Sequence, residues 1–353
     1  MGARGCCVPV ESAARSAACR SMARSGPDEP SQRQPHPIAL PDDLPPGPPG
    51  AVATALSDLP LIALPGGEFL MGSDADEGEP GDGEGPARQV RLEPFRIART
   101  AVTNRQFAAF VQATGHVSYA EEVGASFVFA GLLPDDFPPT RGLVDAPWWR
   151  EVPQACWLRP EGPGSSWRGR EDHPVVHVSW HDALAFCNWA GLRLPTEAQW
   201  EYAARGGLVG RRYPWGDELT PGGEHRCNVW QGRFPSRNEC HDGHAGTAPA
   251  DAFPANGFGL HNACGNTWEW CADWFSATHP AAPRHDPVGP AHGTRRVIRG
   301  GSYLCHESYC FRFRVAARSA NLPEATAGHM GFRCAADPLP AAPGTVFPSE
   351  EHS

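Results

Sequence analysis

Alternation of apolar and polar positions is clearest in LPLIALPGGEFLMGS (59–73), which predicts a strand, a Gly-Gly turn and a second short strand. VRLEPFRIARTAVT (90–103) reads as a further strand. The period then changes in TNRQFAAFVQATG, where Phe107, Phe110 and Val111 share one helical face and Thr103 is the N-cap. No pattern assigns elements over 116–172. SWHDALAFCNWAG (179–191) predicts another helix. LPTEAQWEYAARGG predicts one more, opened by a Thr196/Gln199 capping box and stopped at Gly206.

Two patterns invite chemistry and lose it on inspection. HPVVHVSWH sets His173, His177 and His181 four residues apart, a zinc-holding stripe if the segment were helical. The valines between them favour a strand, which spreads the three rings over about 27 Å, so packing and local hydrogen bonds are expected instead. Six acids between Asp74 and Glu84 lack the spacing of an EF-hand and read as a solvated loop. Phe311 and Phe313 alternate with Arg312 and Arg314 as core positions along a strand.

Composition narrows the classes. The chain has 353 residues, of which 1–58 are rich in Pro, Ala, Arg and Ser without an apolar period, a disordered leader; 59–338 form one domain and 339–353 a flexible tail. With 39 Gly, 38 Pro and 12 Trp, modest secondary structure and aromatic packing are expected. A formal charge of −10 argues against a nucleic-acid partner. No apolar run reaches the roughly 20 residues that span a bilayer, and the N-terminus lacks the apolar core of a secretory signal. The expectation is a cytoplasmic protein without a membrane partner.

Twelve cysteines stand out in that compartment, although Cys6, Cys7 and Cys19 fall in the leader. RGGSYLCHESYC (299–310) holds the most telling pair. An offset of five puts Cys305 and Cys310 roughly 140° apart on a helix and on opposite faces of a strand, so only a turn through His306 to Tyr309 brings the sulfurs together. A disulfide, a shared metal and two unrelated thiols all remain open. Zinc lacks a second cysteine pair at its spacing, whereas two soft thiolates suit Cu(I).

RGGSYLCHESYCFRFRVAARSANLPEATAGHMGFRCAAD (299–337) resembles the C-terminal signature of the formylglycine-generating enzymes, the sulfatase-modifying factor family. GGEFLMGS, AVTNRQFAAFV, GHVSYAEE, PWW, HPVVHVSWHDA, RLPTEAQWEYAARGG, PWGDEL, CNVWQGRFP and GNTWEWCADWF are similar to that family's blocks in its order, over roughly 59–338. The resemblance implies an irregular α+β fold of low secondary-structure content, related to C-type lectin folds. It implies an oxidase that converts the cysteine of a CxPxR motif to Cα-formylglycine with dioxygen and a thiol reductant, acting as a monomer. Its partner would be an unfolded or nascent type I sulfatase.

The same resemblance implies Cu(I) held by Cys305 and Cys310, with Ser302, Tyr309 and Trp268 as supporting catalytic residues. A redox metal fits the chemistry, because no side chain oxidises a C–H bond unaided and no GxGxxG fingerprint is present. Two structural calcium ions are also implied. The first would take the side chains of Asn228 and Asp242 with the carbonyls of Val229 and His244; the second, the side chains of Asn262 and Glu269 with the carbonyls of Gly265 and Thr267. Cys187 and Cys334 match a pair disulfide-bonded in some members, and in a reducing compartment would stay thiols. Ala204 and Val315 stand where a second family disulfide lies, so packing replaces it. Cys227 with Cys240, and Cys264 with Cys271, are unassigned pairs.

Overall fold

The computed structural model describes residues 59–339 except 280, 281 and 283. The leader over 1–58 and the tail beyond Leu339 lie outside the described residues. Helices form where local signals close them. Helix α1 (Asn104–Thr114) begins at Thr103, whose hydroxyl accepts from the Gln106 amide while the Gln106 side chain accepts from the Thr103 N–H. It ends at Gly115 in the left-handed region, and Phe107, Phe110 and Val111 are buried. A one-turn helix α2 (Tyr119–Val123) lies in the stretch that had no readable pattern. Helices α3 (Trp180–Ala190) and α4 (Glu197–Arg205) open on the Ser179/Asp182 and Thr196/Gln199 boxes and stop at Gly191 and Gly206.

The strands are short and shared among five small sheets. β1 (Leu61–Leu64) and β2 (Gly67–Met71) do not pair with each other. The segment expected as one strand over 90–103 divides into β3 (Arg88–Leu92) and β4 (Phe95–Ala98): β3 pairs with β2, and β4 with β1. β5 (Ala125–Phe129), β6 (Arg141–Gly142) and β7 (Trp149–Pro153) make a third sheet. β8 (Gly232–Arg233) and β9 (Arg237–Asn238) make a hairpin. The central sheet runs β13 (Arg318–Asn321), β12 (Arg296–Arg299), β10 (Trp268–Trp274), β14 (Met330–Phe332), with β14 parallel to β10. β11 (Arg284–His285) extends the β3 sheet and β15 (Ala335–Ala336) the β4 sheet.

Aromatic rings bind these pieces where ladders are few. Phe107 packs on Phe110, Trp157 and Phe186, and Phe186 on Phe332, joining α1, α3 and β14 through buried rings. Each such ring stabilises the fold by about 1.5–3 kcal/mol through burial. Ala204 and Val315 are fully buried, as packing without their disulfide requires.

Three sequence readings are corrected. Residues 173–178 are not a strand: Pro174 makes an isolated bridge and His177 turns into the left-handed region at φ 61°. Its ring is buried between Ser126 Oγ and the Pro160 carbonyl, and burial holds it neutral by pushing its pKa down to about 4. His173 meets Thr247 and His181 meets Glu324, so the three rings serve separate local contacts. The acidic loop is not simply solvated. Asp82 and Glu84 are buried, with Asp82 paired to Arg312 and Glu84 bidentate to Arg314 at 2.6 and 2.7 Å. Glu77 pairs with Arg212 at 2.6 Å. Residues 74–84 therefore strap across the segment after Cys310. That segment, 311–314, is not a strand, because Arg312 and Arg314 turn inward to the strap rather than alternating outward.

Candidate metal and thiol site

The thiol loop leaves β12 through two glycines that geometry requires. A Cβ on Gly300 would lie 3.2 Å from the Trp200 ring and one on Gly301 2.9 Å from Phe313 Cα, and both residues have positive φ. Two turns follow. The Cys305 N–H donates to the Ser302 carbonyl at 2.9 Å, and the Cys310 N–H to the His306 carbonyl at 2.7 Å. The chain thus reverses over 306–309, and Cys305 Sγ lies 3.1 Å from Cys310 Sγ, both buried. That separation is well beyond the roughly 2.05 Å of a disulfide, so the sulfurs are adjacent and unbridged. Two convergent soft donors fit a soft monovalent ion.

Ser302 supports the loop by its backbone more than by its hydroxyl. Its N–H donates to Cys305 Sγ at 3.3 Å, which fixes where that sulfur sits, while its Oγ accepts from the Leu304 N–H. Tyr309 is half-buried on an aromatic shelf, stacked on Phe234 at 4.1 Å and edge-on to Trp148 at 5.1 Å. The sequence carried Phe234 and Trp148 in its GRFP and PWW blocks, but nothing local says that they meet at Tyr309. Trp268 lies in the core on β10, its indole N–H buried without an acceptor among the described residues.

Two of the expected calcium ligands, Asn228 and Gly265, belong to the platform beneath the loop. The Trp230 N–H donates to the Cys305 carbonyl and the Tyr303 N–H to the Asn266 carbonyl. Asn266 in turn receives the Asn228 side-chain amide, and its N–H donates to the Asn228 carbonyl. A Cβ on Gly265 would meet the Asn228 carbonyl at 2.3 Å, so these two loops touch backbone to backbone.

Four buried side-chain oxygens have no hydrogen-bond partner among the described residues, and three belong to the expected calcium ligands: Asn228 Oδ1, Asp242 Oδ2 and Asn262 Oδ1. Buried oxygens left without donors are costly, and a hard cation relieves that cost. The Val229 carbonyl already accepts from Gln231 at 2.8 Å. Glu269 is more occupied, taking two bonds from Arg333 and one from Trp200. A carboxylate has about four acceptor sites, so one stays open on Oε1. His244 and Thr267 offer their carbonyls from the same loops.

All nine described cysteines are free. Cys187 and Cys334 lie 3.6 Å apart as thiols. Burial pushes the thiols of Cys227, Cys264, Cys271 and Cys334 up, which makes them poor nucleophiles. The one described cluster of three or more metal-type side chains is the exposed group Glu93, His285 and Asp286, far from this chemistry in kind because it offers no sulfur.

Known proteins resemble the whole described region. The sulfatase-modifying factor enzyme 1-like domain matches residues 53–338. A formylglycine-generating enzyme of Thermomonospora curvata is 60% identical over 284 residues, covering 79% of this chain and 94% of that protein. One from Streptomyces coelicolor is 57% identical over 302 residues, covering 85% and 96%. Among solved structures, PvdO from Pseudomonas aeruginosa superposes with a TM-score of 0.55 at 25% identity, covering 78% of this chain and 94% of that one.

Proposed function

We propose, since this chain belongs to the sulfatase-modifying factor enzyme 1-like family, that it converts the cysteine of a CxPxR motif in type I sulfatases to Cα-formylglycine. The oxidant is dioxygen, the metal Cu(I) on Cys305 and Cys310, and a thiol supplies electrons. The observation that supports this reading is the buried pair of sulfurs at 3.1 Å on one reversed turn.

Copper, when bound there, supplies the one-electron chemistry with dioxygen that no side chain can. The chain's own residues do the rest. The Ser302 N–H donates to Cys305 Sγ and so holds that sulfur beside Cys310 Sγ. Tyr309 carries a phenol at the rim of the loop, suited to giving a proton to reduced oxygen. The shelf of Phe234, Tyr309 and Trp148 presents an apolar face on which an unfolded client segment can lie. In electrons, the client β-carbon gives up two on becoming an aldehyde and its C–S bond breaks to release sulfide; two reductant thiols give the other two that dioxygen takes and leave as a disulfide, one oxygen atom entering the aldehyde and the other leaving as water. The same reading has a monomer working in the cytoplasm on nascent clients, with Cys187 and Cys334 reduced. The test is mass spectrometry of a CxPxR peptide incubated in air with the purified protein, copper and a thiol. Replacement of the peptide's sulfur by a carbonyl oxygen is expected; an unchanged peptide under copper-loaded, aerated conditions overturns the assignment.

Calcium at the two loops is part of this proposal, carried by the three unpartnered oxygens. Chelation should lower stability by roughly 3 kcal/mol for each site, about 5–6 kcal/mol for the two, relative to calcium at about a hundredfold above its Kd, and re-addition should restore it. Thermal unfolding with EGTA and then excess calcium checks this. A melting curve indifferent to both would remove calcium from these loops.

A further inference from the structure

Four buried arginines gather beside α4 with two glutamates between them. Arg205 donates to Glu201, Arg318 to both oxygens of Glu197, and Arg299 to one oxygen of each. The fourth, Arg88 on β3, is 9% exposed and donates to the Pro86 carbonyl at 3.3 Å; it forms no ion pair among the described residues. The neighbouring strap is balanced by contrast, with Arg212, Arg312 and Arg314 against Glu77, Asp82 and Glu84. One more carboxyl stands nearby. Asp273 accepts from the N–H groups of Glu197 and Gly289, and burial, with Glu197 beside it, pushes it up to about 7, so it is only partly ionised at neutral pH.

Arg88 feels Glu201 and Glu197 through space but is paired directly with neither, and a buried charge without a direct partner is expensive. Here the excess borders open space: a cavity of about 220 Å³ whose wall includes Arg88, Arg284, Arg318 and His279 together with the carboxyls of Asp273 and of Glu197, the latter already held by Arg299 and Arg318. His279 adds no charge of either sign; burial and the adjacent arginines hold it neutral, with a pKa pushed down to about 4, and its ring accepts from Arg318. The volume exceeds the roughly 150 Å³ that houses a benzene ring, ample for a tetrahedral oxyanion or a short carboxylate.

We propose that this cavity binds a small oxyanion, a sulfate, phosphate or carboxylate group, with the Arg88 guanidinium as its principal partner. The site is separate from the thiol pair and does not depend on the proposed reaction. It touches the same scaffold, because Arg318 also holds the strap carbonyls of Asp82 and Gly83.

The full chain is melted in increasing sodium sulfate, sodium phosphate and sodium acetate at constant ionic strength. Excluded anions raise stability steadily with concentration whatever the site, so the signal is a saturable component. A saturable rise of about 3 °C is expected with at least one anion and should vanish in Arg88→Gln. Response to sulfate and phosphate alone identifies a tetrahedral oxyanion, and response to acetate alone a carboxylate. No saturable response to any of the three, or one that survives Arg88→Gln, overturns the proposal. Should that variant not fold, crystals of the parent soaked in selenate or bromoacetate decide it. An anomalous peak within hydrogen-bonding reach of Arg88 supports the site, and its absence from both soaks removes it.

Discussion

Serine in place of Cys305 or Cys310 should cut aldehyde formation on a CxPxR peptide by at least two to three orders of magnitude while leaving the chain folded. Changes one shell out from a metal typically cost 10–100-fold, and removing a ligand outright costs more. The substitution is nearly isosteric, but it exchanges a soft, ionisable sulfur for a hard hydroxyl that a monovalent soft ion does not favour. The stability cost should be small, on the order of 1 kcal/mol, because the buried hydroxyl still faces the remaining thiol. A mere disulfide clip predicts the reverse, a large loss of stability with little change in rate. Steady-state turnover beside urea unfolding separates the two, and a serine variant at full activity would release that cysteine from its role.

Glutamine in place of Glu197 should destabilise the fold by about 3–5 kcal/mol, the usual consequence of removing one partner from a buried ion pair. Glu197 is 5% exposed and receives Arg299 at 2.9 Å and Arg318 twice at 2.6 Å. Burial alone pushes its carboxyl up, yet the Arg318 and Arg299 guanidiniums outweigh that and hold it at about 2, below its ordinary 4.5. A carboxyl whose folded pKa is depressed contributes stability that is full above the unfolded value and is lost as pH falls through the folded one. The parent should therefore lose about 3 kcal/mol from this group between pH 4.5 and 2, and Glu197→Gln should lack that component. Urea unfolding across that window tests both; a variant as stable as the parent at pH 7 would mean that the two arginines find other acceptors.

What the sequence made legible was local. The ends of α1, α3 and α4 were readable because capping boxes and terminal glycines act within a few residues. The bend between Cys305 and Cys310 was readable because an offset of five excludes regular structure. The acids between Asp74 and Glu84 were misread because Arg312 and Arg314 lie 230 residues away, so nothing nearby distinguishes a buried carboxylate from a solvated one. The turn at His177 was hidden for the same reason. A Cβ on Gly328 would sit 3.2 Å from the His177 ring, and the Ala327 carbonyl holds the His177 N–H. The meeting of Phe234, Trp148 and Tyr309, and the tally of Arg88, Arg205, Arg299 and Arg318 against two glutamates, are likewise products of assembly. Trp268 was expected beside the reactive centre by resemblance alone; its burial in the core on β10 is a product of assembly.

The strap also sets a timetable for biosynthesis. Asp82 and Glu84 leave the ribosome long before Arg312 and Arg314, and at 5–20 residues per second the gap is roughly 10–50 s. Through that interval the early acids remain hydrated. The buried ion pairs close only when nearly the whole domain has been translated, so the loop bearing Cys305 and Cys310 acquires its fixed shape at the end of synthesis.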